Sequence, residues 1–277
     1  MKKIIFILFC LLVFGEIKAQ HKLIEKWTTD TLLKVPESVI LYPKNNVLYT
    51  SNIDVDGTNP WVRDGKGSIG KIGLDGKIIA AEWIKGLNAP KGLGHYENNL
   101  YVADLNEVVV IDIAKAAILK KIPVADAERL NDITIDKKGV VYVSDSKTKK
   151  VHRIEKDQVT LFLENLKSPN GLLIHKDNLY VLDNGALLRV ENDKKLTKIA
   201  DGMEGGTDGV ENVQGNDFLV SCWSGTVWYV KEDGTKELLL DTGAQKINAA
   251  DICYDSKSKI LYVPTFWKNS VTAYQLK

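Results

Sequence analysis

Six residues of this chain, Glu37, Lys91, Asn131, Asn170, Asp208 and Ala250, each open a segment that reads as a β-strand. Two are carboxylates and two are carboxamides, so four of the six offer side-chain oxygens. That donor set suits a hard divalent cation such as Ca²⁺, which takes carboxylate and amide oxygens at roughly 2.3–2.6 Å with water filling the rest. Two carboxylates would balance its charge. The absence of Cys and His from the set argues against zinc or copper. Taken singly, Asn170-Gly171 and Asp208-Gly209 are ordinary turn dipeptides. The case for a site therefore rests on whether the six positions are equivalent.

They are equivalent because the segments repeat. ESVILYPKNNVLYTSN from Glu37, KGLGHYENNLYVAD from Lys91, NDITIDKKGVVYVSD from Asn131 and NGLLIHKDNLYVLD from Asn170 share one plan, as do DGVENVQGNDFLVSC from Asp208 and ADICYDSKSKILYVPT from Ala250. Each is an apolar strand, a polar turn and a second strand, the pattern of an all-β chain. Successive starts lie 54, 40, 39, 38 and 42 residues apart, close to the ~40–45 residues of a four-stranded propeller blade. The long first interval holds the insertion IDVDGTNPWVRDGKGS, residues 53–68. After the sixth unit only SVTAYQL remains, and LIEKWTT near the N-terminus would complete the last sheet. The sequence thus predicts a single all-β domain over residues 20–277, a six-bladed β-propeller of four-stranded antiparallel blades whose closure leaves few exposed edges. In such a ring the innermost strands line the central channel, and the six residues stand at its mouth. Asp104, Asp145 and Asp183, which end second strands, recur too regularly for catalysis and are expected to cap the following turns.

The order Glu37, Asn131 in RLND, Asn170 in SPNGL and Asp208 in GGTDG resembles the SMP-30/gluconolactonase superfamily, which includes lactonases and the squid-type phosphotriesterase. The resemblance covers nearly all of the chain from Pro36 onward. It implies a catalytic Ca²⁺, or another divalent cation, held by Glu37, Asn131, Asn170 and Asp208. It also implies that Asp208 is base or nucleophile and that Arg129 contacts a small-molecule substrate. Hydrolysis of a cyclic ester fits this constellation: a cation with open positions polarises the carbonyl, and Asp208 activates water or attacks directly.

The chain also departs from that pattern. Lys91 places a cation in the ring, where it either binds an anionic substrate group or pairs with Glu37 and weakens the metal. A deeper channel ion found in some relatives would need groups that are here Glu211 and Cys253, so that second ion is not expected. Of the four histidines, His95 comes nearest the mouth and reads as strand packing. Cys222-Trp223-Ser224-Gly225 lacks the first glycine of a nucleophile elbow. The insertion residues Trp61, Arg63 and Asp64 read either as a lid over the mouth or as surface packing, and Trp267 as channel wall or outer loop. A second reading stays open throughout, a non-catalytic propeller that binds a ligand or protein partner and keeps the ring as a structural ion site.

Residues 1–19 read as a secretory signal peptide: Lys2 and Lys3, an apolar run from Ile4 to Phe14, then a small-residue cleavage site. The run is too short to span a bilayer, so a periplasmic or secreted protein without a membrane anchor is expected. The full chain has 37 basic and 36 acidic residues; after cleavage the balance falls near −1, with none of the basic excess of a nucleic-acid binder. Cys222 and Cys253 then remain. Export would permit a disulfide, while their apolar strand positions favour buried free thiols.

Overall fold

The computed structural model of the protein describes residues 21–203 and 206–277. The signal-peptide expectation falls on residues outside these. Six sheets of four antiparallel strands form the predicted propeller. Among the described residues the only helical pieces are three short 3₁₀ turns, Pro43–Asn45, Gly243–Gln245 and Phe266–Lys268. Blades are numbered here from the one whose innermost strand is Pro36–Tyr42. Blades 2 to 5 begin with Pro90–Tyr96, Leu130–Ile135, Pro169–His175 and Thr207–Gln214.

The sixth blade is closed by both ends of the chain. Its strands Cys253–Asp255, Ile260–Pro264 and Val271–Leu276 receive Leu23–Thr28 as the outermost member, in register from Leu23 opposite Leu276 to Thr28 opposite Thr272. Its innermost strand starts three residues later than the repeat predicts, at Cys253 rather than Ala250. The cause lies at the axis. The Asp251 N–H donates to the Glu37 carbonyl at 2.9 Å, and Ser38 and Asp251 form an isolated parallel bridge. This stretch therefore bridges blade 6 to blade 1, while the Ala250 N–H still donates to the Pro264 carbonyl of its own blade at 3.1 Å.

Alternation of apolar residues along the strands gives each blade two apolar faces, and each face packs on a neighbouring blade. Every blade-to-blade interface has its own cluster. Tyr49, Leu87, Leu100 and Val109 fill the first, Ala103, Val110, Leu130 and Val143 the second, and Val151, Leu172 and Val181 the third. Tyr180, Leu187, Phe218 and Val220 follow, then Leu219, Tyr229 and Leu261, and Val39, Leu48, Tyr262 and Ala273 complete the circle. At roughly 1.5–3 kcal/mol for each large side chain removed from water, these wedges hold the ring. A seventh cluster, Val35, Ile53, Ala89, Leu105, Ala250 and Phe266 with Trp61 and Trp267 against it, lies over the channel mouth. Cys222 and Cys253 are free and buried.

Candidate active site

Three aspartates deliver the mouth residues. Asp104 accepts the N–H groups of Asn88 and Ala89 at 2.9 and 2.8 Å, two residues before Lys91. Asp145 accepts those of Glu128 and Arg129 at 2.9 and 3.2 Å, just before Asn131. Asp183 accepts those of Lys167 and Ser168, just before Asn170. Only Asp145 also caps the turn that follows it, through the N–H groups of Lys147 and Thr148. The expected turn-capping role is thus corrected for Asp104 and Asp183: both tie down the loop that enters their own blade's innermost strand. The reason is register, because the end of each second strand lies opposite that entry, as Pro90 lies opposite Asp104 and Pro169 opposite Asp183.

Glu37, Lys91, Asn131, Asn170 and Asp208 line one cavity of about 580 Å³ at the mouth. Glu37 and Asp208 are buried, with 4% and 3% of their surfaces exposed. Asn170 Nδ2 donates to Asp208 Oδ1 at 2.9 Å, which leaves Asn170 Oδ1 buried without a partner, as is Glu37 Oε2. Asn131 Nδ2 donates to Ser146 Oγ at 3.0 Å, and that hydroxyl donates on to the Pro169 carbonyl at 2.7 Å. Both amide side chains are thus anchored through their nitrogens, leaving carbonyl oxygens for a ligand. Gly171 lets this happen: a Cβ there would lie 2.3 Å from the Asp208 carbonyl oxygen. Ala250 contributes no donor and lies in the apolar cluster over the mouth.

Lys91 is the one buried cationic side chain among the described residues. Its Nζ stands 3.9 Å from Glu37 Oε1, beyond hydrogen-bond reach, and 4.4 and 5.5 Å from the ring centres of Trp61 and Phe266. Burial lowers its pKa, opposed by Glu37 and Asp208. Burial likewise raises Glu37 well above the usual carboxylate range, with Lys91 opposing. Asp208 is pushed up to about 7 by burial, against Lys91 and the Asn170 hydrogen bond. Arg129 is exposed at the rim, its guanidinium 5.4 Å from the Trp61 ring centre.

One layer below the mouth the equivalent positions are Ser38, Gly92, Asp132, Gly171, Gly209 and Asp251, and the two aspartates were not singled out from sequence. Both are buried. Asp132 Oδ2 accepts the Leu172 N–H of blade 4 at 2.6 Å, and Asp251 Oδ2 accepts from Ser38 Oγ of blade 1 at 2.5 Å. Space for them comes from glycines: a Cβ on Gly92 or Gly209 would lie 2.5 Å from Asp132 Oδ1 or Asp251 Oδ1. They pin adjacent blades at the axis. Farther along, Glu211 borders the channel, and burial pushes its carboxyl up to about 8 against hydrogen bonds from the Tyr254 N–H and the Cys253 thiol. Among the described residues no three carboxylate, imidazole or thiol groups gather at metal-binding reach. His95 packs edge-on against Tyr42, 5.4 Å between ring centres.

The Glu211 proton is expected to contribute to stability. Folding holds it from the ordinary 4.5 up to about 8, so its stabilising effect is complete below pH 4.5 and is lost as pH rises to about 8. Glu211→Gln is expected to flatten the fall in thermal midpoint between those pH values. An unchanged slope in a pH series of melts would contradict this assignment.

The cavity has an outer ring as well. The residues following the second strands of blades 1 to 5 are Ile53, Leu105, Ser146, Asn184 and Trp223, and two past that of blade 6 stands Phe266; the last four of these six line the cavity and the first two lie in the roofing cluster. The repeat register that revealed the inner ring would have revealed these too. The insertion reaches the same cavity through Trp61 and is tied back by Arg63 Nη2 donating to Asn106 Oδ1 at 2.5 Å. Asp64 accepts the Lys66 N–H at 3.0 Å within the insertion. Trp267 belongs to the roof, 4.9 Å from Phe266 between ring centres. Val35, Leu105 and Phe266 of this roof have left-handed backbones, φ 53, 59 and 49°, which costs roughly 1–3 kcal/mol each and is tolerated where packing fixes the chain.

No family model matches the chain, and no curated protein does. Solved structures do. A streptogramin B lyase superposes with a TM-score of 0.68 at 10% identity, over 93% of this chain and 98% of that one. A gluconolactonase from Xanthomonas campestris gives 0.66 at 15% identity, over 88% and 87%. A chain of a nidogen/laminin complex gives 0.62 at 16% identity, over 74% and 80%. At these identities the likeness is one of fold alone, and it agrees with the six-bladed propeller that the six four-stranded sheets form.

Proposed function

We propose that this protein is a divalent-cation-dependent hydrolase that opens a lactone or similar small ester at the channel mouth. The observation that carries the reading is the pair of buried, unpartnered acceptors, Glu37 Oε2 and Asn170 Oδ1, on residues lining one cavity with Asn131 and Asp208. Such orphaned oxygens are costly in a protein interior and fit a cation. Glu37, Asn131, Asn170 and Asp208 would hold it, with Ca²⁺ the expected ion for an all-oxygen donor set. When bound, Ca²⁺ supplies Lewis-acid polarisation of the ester carbonyl and holds the carboxylates ionised. Asp208 takes a proton from the water that adds to the carbonyl carbon. The ring C–O bond then breaks, and the departing alkoxide regains a proton to give the hydroxy acid. Lys91 places positive charge beside the cavity, where oxyanion charge develops. We place the enzyme outside the cytoplasm on the charged-then-apolar pattern of residues 1–19.

Calcium is expected to raise the thermal midpoint. At a hundredfold excess over Kd the gain is about 2.7 kcal/mol, worth roughly 5–10 °C for a chain of this size. Glu37→Gln should lose most of that shift in the same scan. No calcium-dependent shift together with no turnover of any lactone, aryl ester or phosphotriester would sink the proposal. A second reading, a propeller that binds without turnover, is favoured by Lys91, whose buried ammonium already offsets part of the mouth's negative charge. Calcium-dependent ligand binding without hydrolysis would establish it.

A further inference from the structure

The mouth cavity is two-sided. On the side of blades 3 and 4 the outer ring offers Ser146 and Asn184, beside Ser168 and Asn170. On the side of blades 5, 6, 1 and 2 it offers Trp223, Phe266, Ile53 and Leu105, with Trp61 added by the insertion. The aromatic side is a built wall. Trp223 meets Phe266 edge-to-face at 5.7 Å, Phe266 meets Trp267 at 4.9 Å, and Trp61 is fixed against the cationic groups of Lys91 and Arg129. Yet Trp223 keeps 42% of its surface exposed and is the one aromatic among the large exposed hydrophobic residues described. The other eight are Ile and Leu, and none of them lines this cavity. An indole left open on the wall of a concave, otherwise ordered pocket marks where an apolar group of a ligand lies.

Resting on the hydrolase reading above, we infer that the substrate is an ester or lactone carrying a planar aromatic arm, seated on Trp223 and Trp61, which the buried Phe266 backs, with its carbonyl toward Asp208. A polyhydroxylated sugar lactone would draw its hydrogen bonds from the polar side, Ser146, Ser168, Asn170 and Asn184, and would cover less of the aromatic wall than a planar ring does. Ring-on-ring contact is favoured over and above the area buried, so the arm sets specificity.

The test compares γ-phenyl-γ-butyrolactone, γ-butyrolactone and glucono-1,5-lactone as substrates of the full chain with Ca²⁺. It adds calorimetric binding of 5-phenyl-2-pyrrolidinone, a lactam of similar shape that resists hydrolysis. The phenyl lactone is expected to exceed its parent at least tenfold in kcat/KM, and Trp223→Ala to lower that ratio about tenfold. Trp223→Phe, which keeps an aromatic face, should restore most of the ratio. Preference for the sugar lactone, or a ratio insensitive to Trp223, overturns the inference while leaving the hydrolase intact. Binding of the lactam that needs Trp223, without turnover of any lactone, supports the aromatic subsite and removes the hydrolase. Neither binding nor turnover overturns both.

Discussion

Asp208→Asn is expected to lower kcat/KM for lactone hydrolysis by about 10²–10⁴-fold, the usual worth of a positioned general base, while making the cation-free protein more stable at neutral pH. The two effects have one cause. The carboxylate is buried, and burial pushes its pKa from the ordinary 3.8 to about 7. Folding therefore favours the protonated form, so the stability it contributes is complete below pH 3.8 and lost as pH rises to about 7. Asparagine fits the same space, still offers an oxygen to Asn170 Nδ2, and carries no charge to desolvate. Removing the carboxylate also removes one of two negative ligands, so Ca²⁺ affinity should drop in the same variant. Steady-state kinetics, calorimetric Ca²⁺ titration and a melt at pH 7 in chelator read the three consequences. Retained activity would dismiss Asp208 as the base. Lower stability in chelator would dismiss the burial argument.

The second large effect is structural. Asp145→Ala strips the acceptor from four backbone N–H groups, those of Glu128, Arg129, Lys147 and Thr148. Burial alone would raise this carboxyl, but those hydrogen bonds hold it below its ordinary value, the signature of a charge the fold uses. An unsatisfied buried donor costs roughly 1–3 kcal/mol; with water reaching some of the four, a loss of about 3–5 kcal/mol is expected. At ~2–4 °C per kcal/mol, the thermal midpoint should fall by roughly 6–20 °C. Asp145→Asn, which keeps one accepting oxygen, should fall between. Asp193, on an exposed turn where it accepts the single Lys195 N–H at 3.1 Å in reach of water, serves as control, its alanine variant costing no more than ~1 kcal/mol. If Asp145→Ala melts like that control, the clamp has no energetic role.

The propeller was legible because its period is long, regular and carried by strand alternation that burial enforces. The inner ring was legible for the same reason: each member occupies one fixed place in the repeat. Ser146, Asn184, Trp223 and Phe266 obey the same period, yet they follow strands as loop residues of dissimilar type, so no shared chemistry drew the eye to them. Asp132 and Asp251 sat inside strand-like runs, where an aspartate reads as solvent-facing; what hid their role is that glycines on neighbouring blades vacate the space they fill. The late start of blade 6 was out of reach because it follows from a hydrogen bond to Glu37, 214 residues away, that no local pattern encodes. Why Asp104 and Asp183 cap the entering loop while Asp145 spans both loops also depends on three-dimensional register.

The chain's two ends meet in blade 6, where Leu23 lies opposite Leu276, and blades 6 and 1 meet at the axis through Ser38 and Asp251. Both junctions join parts of the chain separated by almost its whole length, so the loop entropy of forming them is high and contacts of this kind form slowly. Blades 1 to 5 are each continuous in sequence and need no such encounter. Folding is therefore expected to run through an open, five-bladed arc. In that arc Asn131, Asn170 and Asp208 already stand side by side, while Glu37 waits at the far end. The oxygen ring becomes whole only at closure, so a divalent cation bound there, as proposed above, would latch the last folding step as well as serve the chemistry.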